Sequence, residues 1–215
     1  MAKRASGERE KEERRASILA LADRLCREKS YEEIKMAELA AELGLAKGTL
    51  YLYFPSKESL FLALLSERLN AAWDRVLSHL SGESGIVTTE SVARETAAAL
   101  AADLALPRLL AIVHAVLEKN VPYEEAVAYK RRLAEFIEKA GTELSLRLPE
   151  LSLDASRRFF LYLYAEIAGL VQLTDISHFM VKIGAEPGLG LFSLHFEDSL
   201  RDAARILLAG LIPSL

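Results

Sequence analysis

The 215-residue chain has one cysteine, Cys26, and one tryptophan, Trp73. A single cysteine excludes an internal disulfide and fits a reducing compartment. Val and Ile are scarce, 9 and 10 residues, against 39 Leu and 32 Ala. Sheets draw on β-branched residues and helices on Leu and Ala, so an all-α protein is predicted. No run of more than ten residues lacks a charge, and no segment is expected to span a membrane. The charged N-terminus has no apolar stretch of the kind a leader needs, so a cytoplasmic protein is expected. Hydrophobic residues make up 51% of the chain, which excludes intrinsic disorder.

Catalytic chemistry is also missing. His79, His114, His178 and His195 stand far apart, without a His-x₃-His, Glu-x₂-His or cysteine pair to hold a metal. The GLG at 188–190 is followed by neither the lysine nor the helix that would cradle a phosphate. No Gly-x-Ser-x-Gly nucleophile motif occurs. No catalytic residue, cofactor or metal is expected, and the protein is read as a non-enzyme.

The charge is unevenly placed. Residues 1–57 hold 12 Lys+Arg and 10 Asp+Glu, a net of +2, while 58–215 hold 15 and 21, a net of −6. The first fifteen residues mix both signs without an apolar period and read as a frayed tail. Ile18, Leu21, Ala22, Leu25 and Cys26 then mark one face of a helix predicted over about 10–29. Short helices follow at 36–43 and 47–53, and a long one at 57–80 with Ser56 as its N-cap. Further helices are expected at 89–104, 107–119, 122–147, 154–176 and 196–211, with GAEPGLG (184–190) irregular.

The stretch MAELAAELGLAKGTLY, from Met36 to Tyr51, has the form of a helix-turn-helix. Ala40 is small where the helices approach, and Gly44 suits the left-handed turn. Leu45 and Leu50 would tuck the second helix onto the first. Lys47, Gly48, Thr49, Tyr51 and Tyr53 remain for an exposed face, and no acidic residue lies between Gly44 and Lys57. Such a face fits a DNA major groove. On spacing alone a glycine-turned hairpin also serves as plain bundle packing, so a small-molecule-binding helical protein without sequence-specific DNA binding remains the alternative.

Residues 14–60 resemble the N-terminal DNA-binding domain of the TetR (tetracycline repressor) family of transcriptional regulators. The resemblance is carried by Ile18, Ala22, Leu39-Ala40, Gly44-Leu45, Lys47 to Tyr51, Tyr53-Phe54, Ser56-Lys57-Glu58 and Leu60; AKGTLYLYFPSKESL is its most specific string. It implies a repressor in which 1–57 form the tail and reading head, and 58–215 a ligand-binding and dimerising domain. Lys47 and Lys57 would neutralise phosphates, and Thr49 would meet a base edge. Tyr51 and Tyr53 would bond phosphate oxygens while their rings pack on the first helix. Gly48 would let the backbone come close, and Lys35 and Met36 at the start of the second helix complete the set. The sequence departs from the family pattern at Cys26, Ser30, Lys35, Ala46 and Leu52. Ala46 and Lys35 stand where capping hydroxyls are usual, and Leu52 where a polar residue is usual.

In the second domain, residues 158–174 (RFFLYLYAEIAGLVQLT) are apolar around nearly the whole helix, with Glu166 the only charge after Arg158. Burial on more than one side is expected, with the last helix (Leu200, Ala203, Ala204, Leu207, Leu211) as partner. These two helices from each subunit would make a homodimer that reads a palindromic operator in double-stranded DNA. Large or polar side chains on apolar helices mark the candidate effector site: Trp73, His114, Tyr129, Phe136, Tyr162, Glu166 and Gln172. A small, largely hydrophobic effector is expected.

Overall fold

Nine α-helices and no strand make up the described residues of the computed structural model, which are 2–82, 86–103, 105–174, 182 and 184–212, without the side chains of 2–6. In chain order they are α1 (Ala2–Glu28), α2 (Met36–Glu42), α3 (Lys47–Tyr53), α4 (Lys57–Leu80), α5 (Thr89–Ala101), α6 (Ala105–Ile112), α7 (Tyr123–Arg147), α8 (Leu153–Thr174) and α9 (Phe196–Leu211). No single described helix is long and apolar enough to cross a membrane. His178 and the predicted helical residues 104, 175 and 176 lie outside the described residues.

The tail expected to fray is instead helical from residue 2. Its Lys, Arg, Glu and Ala are good helix formers, and Arg9 pairs with Glu13 one turn on at 3.4 Å. The α1 stripe Ile18, Leu21, Ala22, Leu25 and Cys26 is buried throughout. The α2–α3 turn closes as a Schellman motif: Leu45 N–H donates to Ala40 C=O at 2.8 Å, Gly44 N–H to Ala41 C=O at 3.1 Å, and Gly44 sits at φ +64°. Leu50 is buried completely and Leu45 partly, as the sequence predicts. Ser56 caps α4, its hydroxyl accepting from Ser59 N–H at 3.0 Å.

The fourth helix belongs to both halves of the molecule. It packs on α1 and also on α5, α6 and α7, and it buries Leu60, Phe61, Leu64, Leu65 and Leu69. In the same helix the buried Arg68 forms ion pairs with Asp23 of α1 and with Asp103 in the α5–α6 turn. Asp103 also starts α6 earlier than expected: Oδ1 accepts from Ala105 N–H at 3.2 Å, and Pro107 falls in the first turn, where its missing N–H costs nothing. The same helix ends early, in a π-helical turn (Val113–Leu117) and a 3₁₀ turn (Glu118–Asn120). α7 packs against α8, and α9 lies against α5 and α8 through Leu200, Ala204 and Leu208.

Across the α7–α8 contact the Tyr129 and Tyr164 hydroxyls share a hydrogen bond at 3.0 Å. Burial pushes both phenols well above the usual tyrosine range.

Two stability outcomes follow from this packing. Gly44→Ala is expected to cost about 1–2 kcal/mol in a urea titration. The space around an added Cβ is open, so the cost is that of the left-handed backbone. Tyr164→Phe strips the buried Tyr129 hydroxyl of its partner and is expected to cost about 1–3 kcal/mol. The Tyr129→Phe/Tyr164→Phe double variant is expected to lose clearly less than the sum of the singles.

Candidate nucleic-acid interface and effector cavity

The expected reading head is α2 and α3 set on α1. Ion pairs from Arg24 to Glu42 and from Lys29 to Glu38 tie α1 to α2. Lys29 holds the Glu38 carboxyl below its ordinary range. Leu39, Ala40 and Leu50 face inward, and α3 presents Lys47, Gly48, Tyr51 and Leu52 to solvent, with Thr49 half-buried. Both helices start without a side-chain cap, at Lys35 and at Ala46, so the two capping departures in the sequence leave real gaps.

Two residues of the expected contact set sit differently. Met36 is buried, because it opens the inward stripe shared with Leu39 and Ala40; only its helix-terminal N–H is left to offer a phosphate. Lys57 folds back: Nζ donates to the Tyr31 carbonyl and lies 3.9 Å from the centre of the Tyr31 ring. Burial there lowers the ammonium's pKa from the usual lysine value. Tyr31 in turn donates to Glu58 at 2.8 Å, so this corner is closed on itself. The Tyr51 ring is 38% exposed, with Lys47 Nζ 5.9 Å from its centre. Tyr53 is half-buried beside Phe54, whose ring carries the Arg15 guanidinium at 5.0 Å. Leu52 is 82% exposed, an apolar side chain at the tip of the reading helix that sequence reasoning treated only as a lost polar contact.

The effector candidates divide. Trp73 and Phe136 stack face to face, 4.6 Å between centroids and 6° between planes, and Phe160 meets Phe136 edge-on at 5.5 Å. With Leu110, Thr96 and Tyr164 they line a partly open cavity of about 30 Å³ between α4, α5, α6, α7 and α8. Phe160 and Tyr164 were missed in the sequence; their positions on the buried side of α8 are the signal that could have found them.

The other candidates lie elsewhere. Tyr129 is buried but bonds Tyr164 rather than lining this cavity. His114 is exposed instead of interior; the buried positions around it are Leu110, Val113 and Leu117. There it reaches Glu118 at 3.0 Å, while Glu118 also meets Lys130 at 2.8 Å. Tyr162 and Glu166 are exposed on the outer side of α8. Gln172 lines a separate cleft of about 440 Å³ at the junction of the two halves, with Cys26 and Tyr31 on one side and Leu109 and Ile112 of α6 on the other. Burial pushes the Cys26 thiol up to about 11. Among the described residues no group of three or more His, Cys, Asp or Glu is placed to hold a metal.

The outer side of α8 is apolar. Only one face of this helix is buried within the chain, through Phe159, Phe160, Leu163, Ile167 and Val171. Leu161, Tyr162 and Leu173 remain 49%, 44% and 51% exposed, and Ile206 on the neighbouring α9 is 66% exposed. Among the described residues, 158–174 are thus buried on one side, and the second side expected to be covered is exposed.

A family model described as bacterial regulatory proteins, tetR family, matches residues 18–64. A second, the tetracyclin repressor-like C-terminal domain, matches residues 63–214. The HTH-type transcriptional regulator EthR of Mycolicibacterium smegmatis is 35% identical over 75 residues, 34% of this chain and 35% of that protein. The match thus spans about a third of this curated relative's length. Among solved structures, the transcriptional regulator FadR from Bacillus subtilis in complex with stearoyl-CoA has a TM-score of 0.57 at 18% identity, covering 92% of this chain and 99% of that one. The fatty acid degradation regulator FadR from Bacillus halodurans gives 0.58 at 20% identity, covering 92% and 95%. These two likenesses bear on the fold, and the two family models, meeting inside α4, account for nearly all of the helical architecture described above. The chain belongs to the TetR family of bacterial transcriptional regulators.

Proposed function

We propose that the protein is a repressor that binds a palindromic operator as a homodimer and is released by a small, largely hydrophobic effector. The reading head is assigned to residues 1–57 and the effector and dimer functions to 58–215. The observation that carries the DNA-binding reading is the solvent face of α3, where Lys47, Gly48, Thr49, Tyr51 and Leu52 stand together without a carboxylate. Lys47 supplies charge for a phosphate, Thr49 a hydroxyl and methyl for a base pair, and Leu52 an apolar contact suited to a thymine methyl. Lys35 and the Tyr51 and Tyr53 hydroxyls supply backbone contacts.

The apolar strip of Leu161, Tyr162 and Leu173 with Ile206 supports a two-fold interface through α8 and α9. A symmetric pair of α3 helices then reads two half-sites one helical turn of DNA apart, or a multiple of that. The aromatic walls of the Trp73–Phe136–Phe160 cavity support an apolar effector, and a structural neighbour carrying stearoyl-CoA agrees with that chemistry.

Selecting duplexes from a random pool with the purified protein is expected to enrich a palindrome, bound with strong salt dependence. Lys47→Ala is expected to weaken binding to every duplex and to reduce the salt slope. Thr49→Ala is expected to shift preference at one base position by about 1–3 kcal/mol. A pool that emerges unenriched rejects sequence-specific binding. Trp73, the single tryptophan, reports the cavity directly. Titration with medium-chain alcohols, fatty acids and small aromatic compounds is expected to change its fluorescence saturably, and Phe136→Ala to abolish the response. A flat signal with all three classes counts against the assigned cavity.

A further inference from the structure

The effector cavity and the reading head do not touch, yet one side chain is tied to both neighbourhoods. Arg68 lies on α4 next to Leu69 and about one turn before Trp73, both of which line the cavity. Its guanidinium is buried, and its side chain keeps only 7% of its exposure. One Nη meets Asp23 of α1, the helix on which α2 and α3 rest; the other meets Asp103. Asp23 is held in turn by Arg27, at 3.1 Å, in the same helix. Asp103 has a second task, since its Oδ1 caps α6 through Ala105 N–H. The capped helix carries Leu110 into the cavity wall, and Leu109 and Ile112 into the wall of the cleft facing Cys26 and Tyr31.

We infer that Arg68 is the positioning residue through which expansion of the cavity is passed to the reading head, by the chain Asp103–Arg68–Asp23. The cavity leaves about 30 Å³, so an effector of more than a few heavy atoms has to move its walls. Displacing α6 carries Asp103 with it, because the carboxylate is fixed to the helix end. A buried guanidinium does not give up a charged partner for nothing, so it follows, and Asp23 brings α1 along. Apolar contacts between the same elements can slide; a buried ion pair keeps its partners until it breaks. The inference rests on the proposed effector-released repressor, and it adds the residues that connect its two sites.

The test separates coupling from bracing. Asp103→Asn keeps an oxygen to cap α6 and removes the charge that holds Arg68, while Asp23 continues to hold it. Ala72→Leu fills the cavity from α4 and replaces an effector, so no ligand need be known; Thr96→Leu fills it from α5 if the first variant does not fold. Binding of the full-length protein to its own selected duplex is measured for the parent, each single variant and the Asp103→Asn/Ala72→Leu double variant. The filling substitution is expected to weaken binding at least tenfold in the parent and less than threefold beside Asp103→Asn. Asp103→Asn alone is expected to stay within threefold of the parent. Equal losses in both backgrounds overturn the inference, as does no loss in the parent. A large loss from Asp103→Asn alone also overturns it, because Arg68 would then be a brace of the head. Failure to select any duplex rejects the repressor reading instead. In that case the coupling is read from hydrogen exchange of α1: the filling substitution is expected to speed it in the parent and not beside Asp103→Asn, and equal rates overturn the coupling.

Discussion

A guanidinium taken out of water costs several kcal/mol unless carboxylates meet it. Arg68 meets that requirement with one acid from α1 and one from the α5–α6 turn, 45 and 35 residues away in sequence. Those three segments converge on the cation within the hydrophobic core. Leu64, Leu65 and Leu69 of the same helix give the attraction, which is large but indifferent to angle. The ion pairs add direction. Because α4 runs unbroken from Lys57 to Leu80, it carries the Arg68 ion pairs and the cavity-lining Leu69 and Trp73 on one continuous helix.

Much of this was legible in the sequence because it depends on local rules. The turn at Gly44 demands a left-handed residue, and AELGLAKG announces it. The cap at Ser56, the stop at Phe54-Pro55 and the bounds of α9 follow from the same short-range chemistry. Side-chain fates that depend on distant partners were not legible. Lys57 reads as a phosphate ligand until the carbonyl of Tyr31 is seen beside it. Met36 differs from an interface residue only by which side of a two-turn helix it occupies. Arg68 has no period to betray it, since its partners lie on other elements.

His114 shows a subtler failure. An apolar run such as LLAIVHAVL reads as buried if it is taken as a regular α-helix, with the histidine inside. The buried stripe runs through Leu110, Val113 and Leu117, and the imidazole lies at the surface beside Glu118 and Lys130. Exposed Tyr162 and Glu166 follow a different rule. The sequence of α8 is apolar on both sides, but one chain supplies covering for only one of them. Hydrophobicity reports that a face wants company; it does not say whether that company is the same molecule.

The stacked rings of Trp73 and Phe136 carry a thermodynamic consequence. On the proposed reading, an effector that enters between the two rings has to part them first. The affinity it displays is its affinity for the parted form, reduced by the fraction of molecules in which the rings have parted. Small solutes with little apolar surface cannot repay that cost, whereas bulky ones repay it and keep the difference. On that reading the stack is a threshold that discriminates by how much greasy surface a compound brings, before any polar group is consulted.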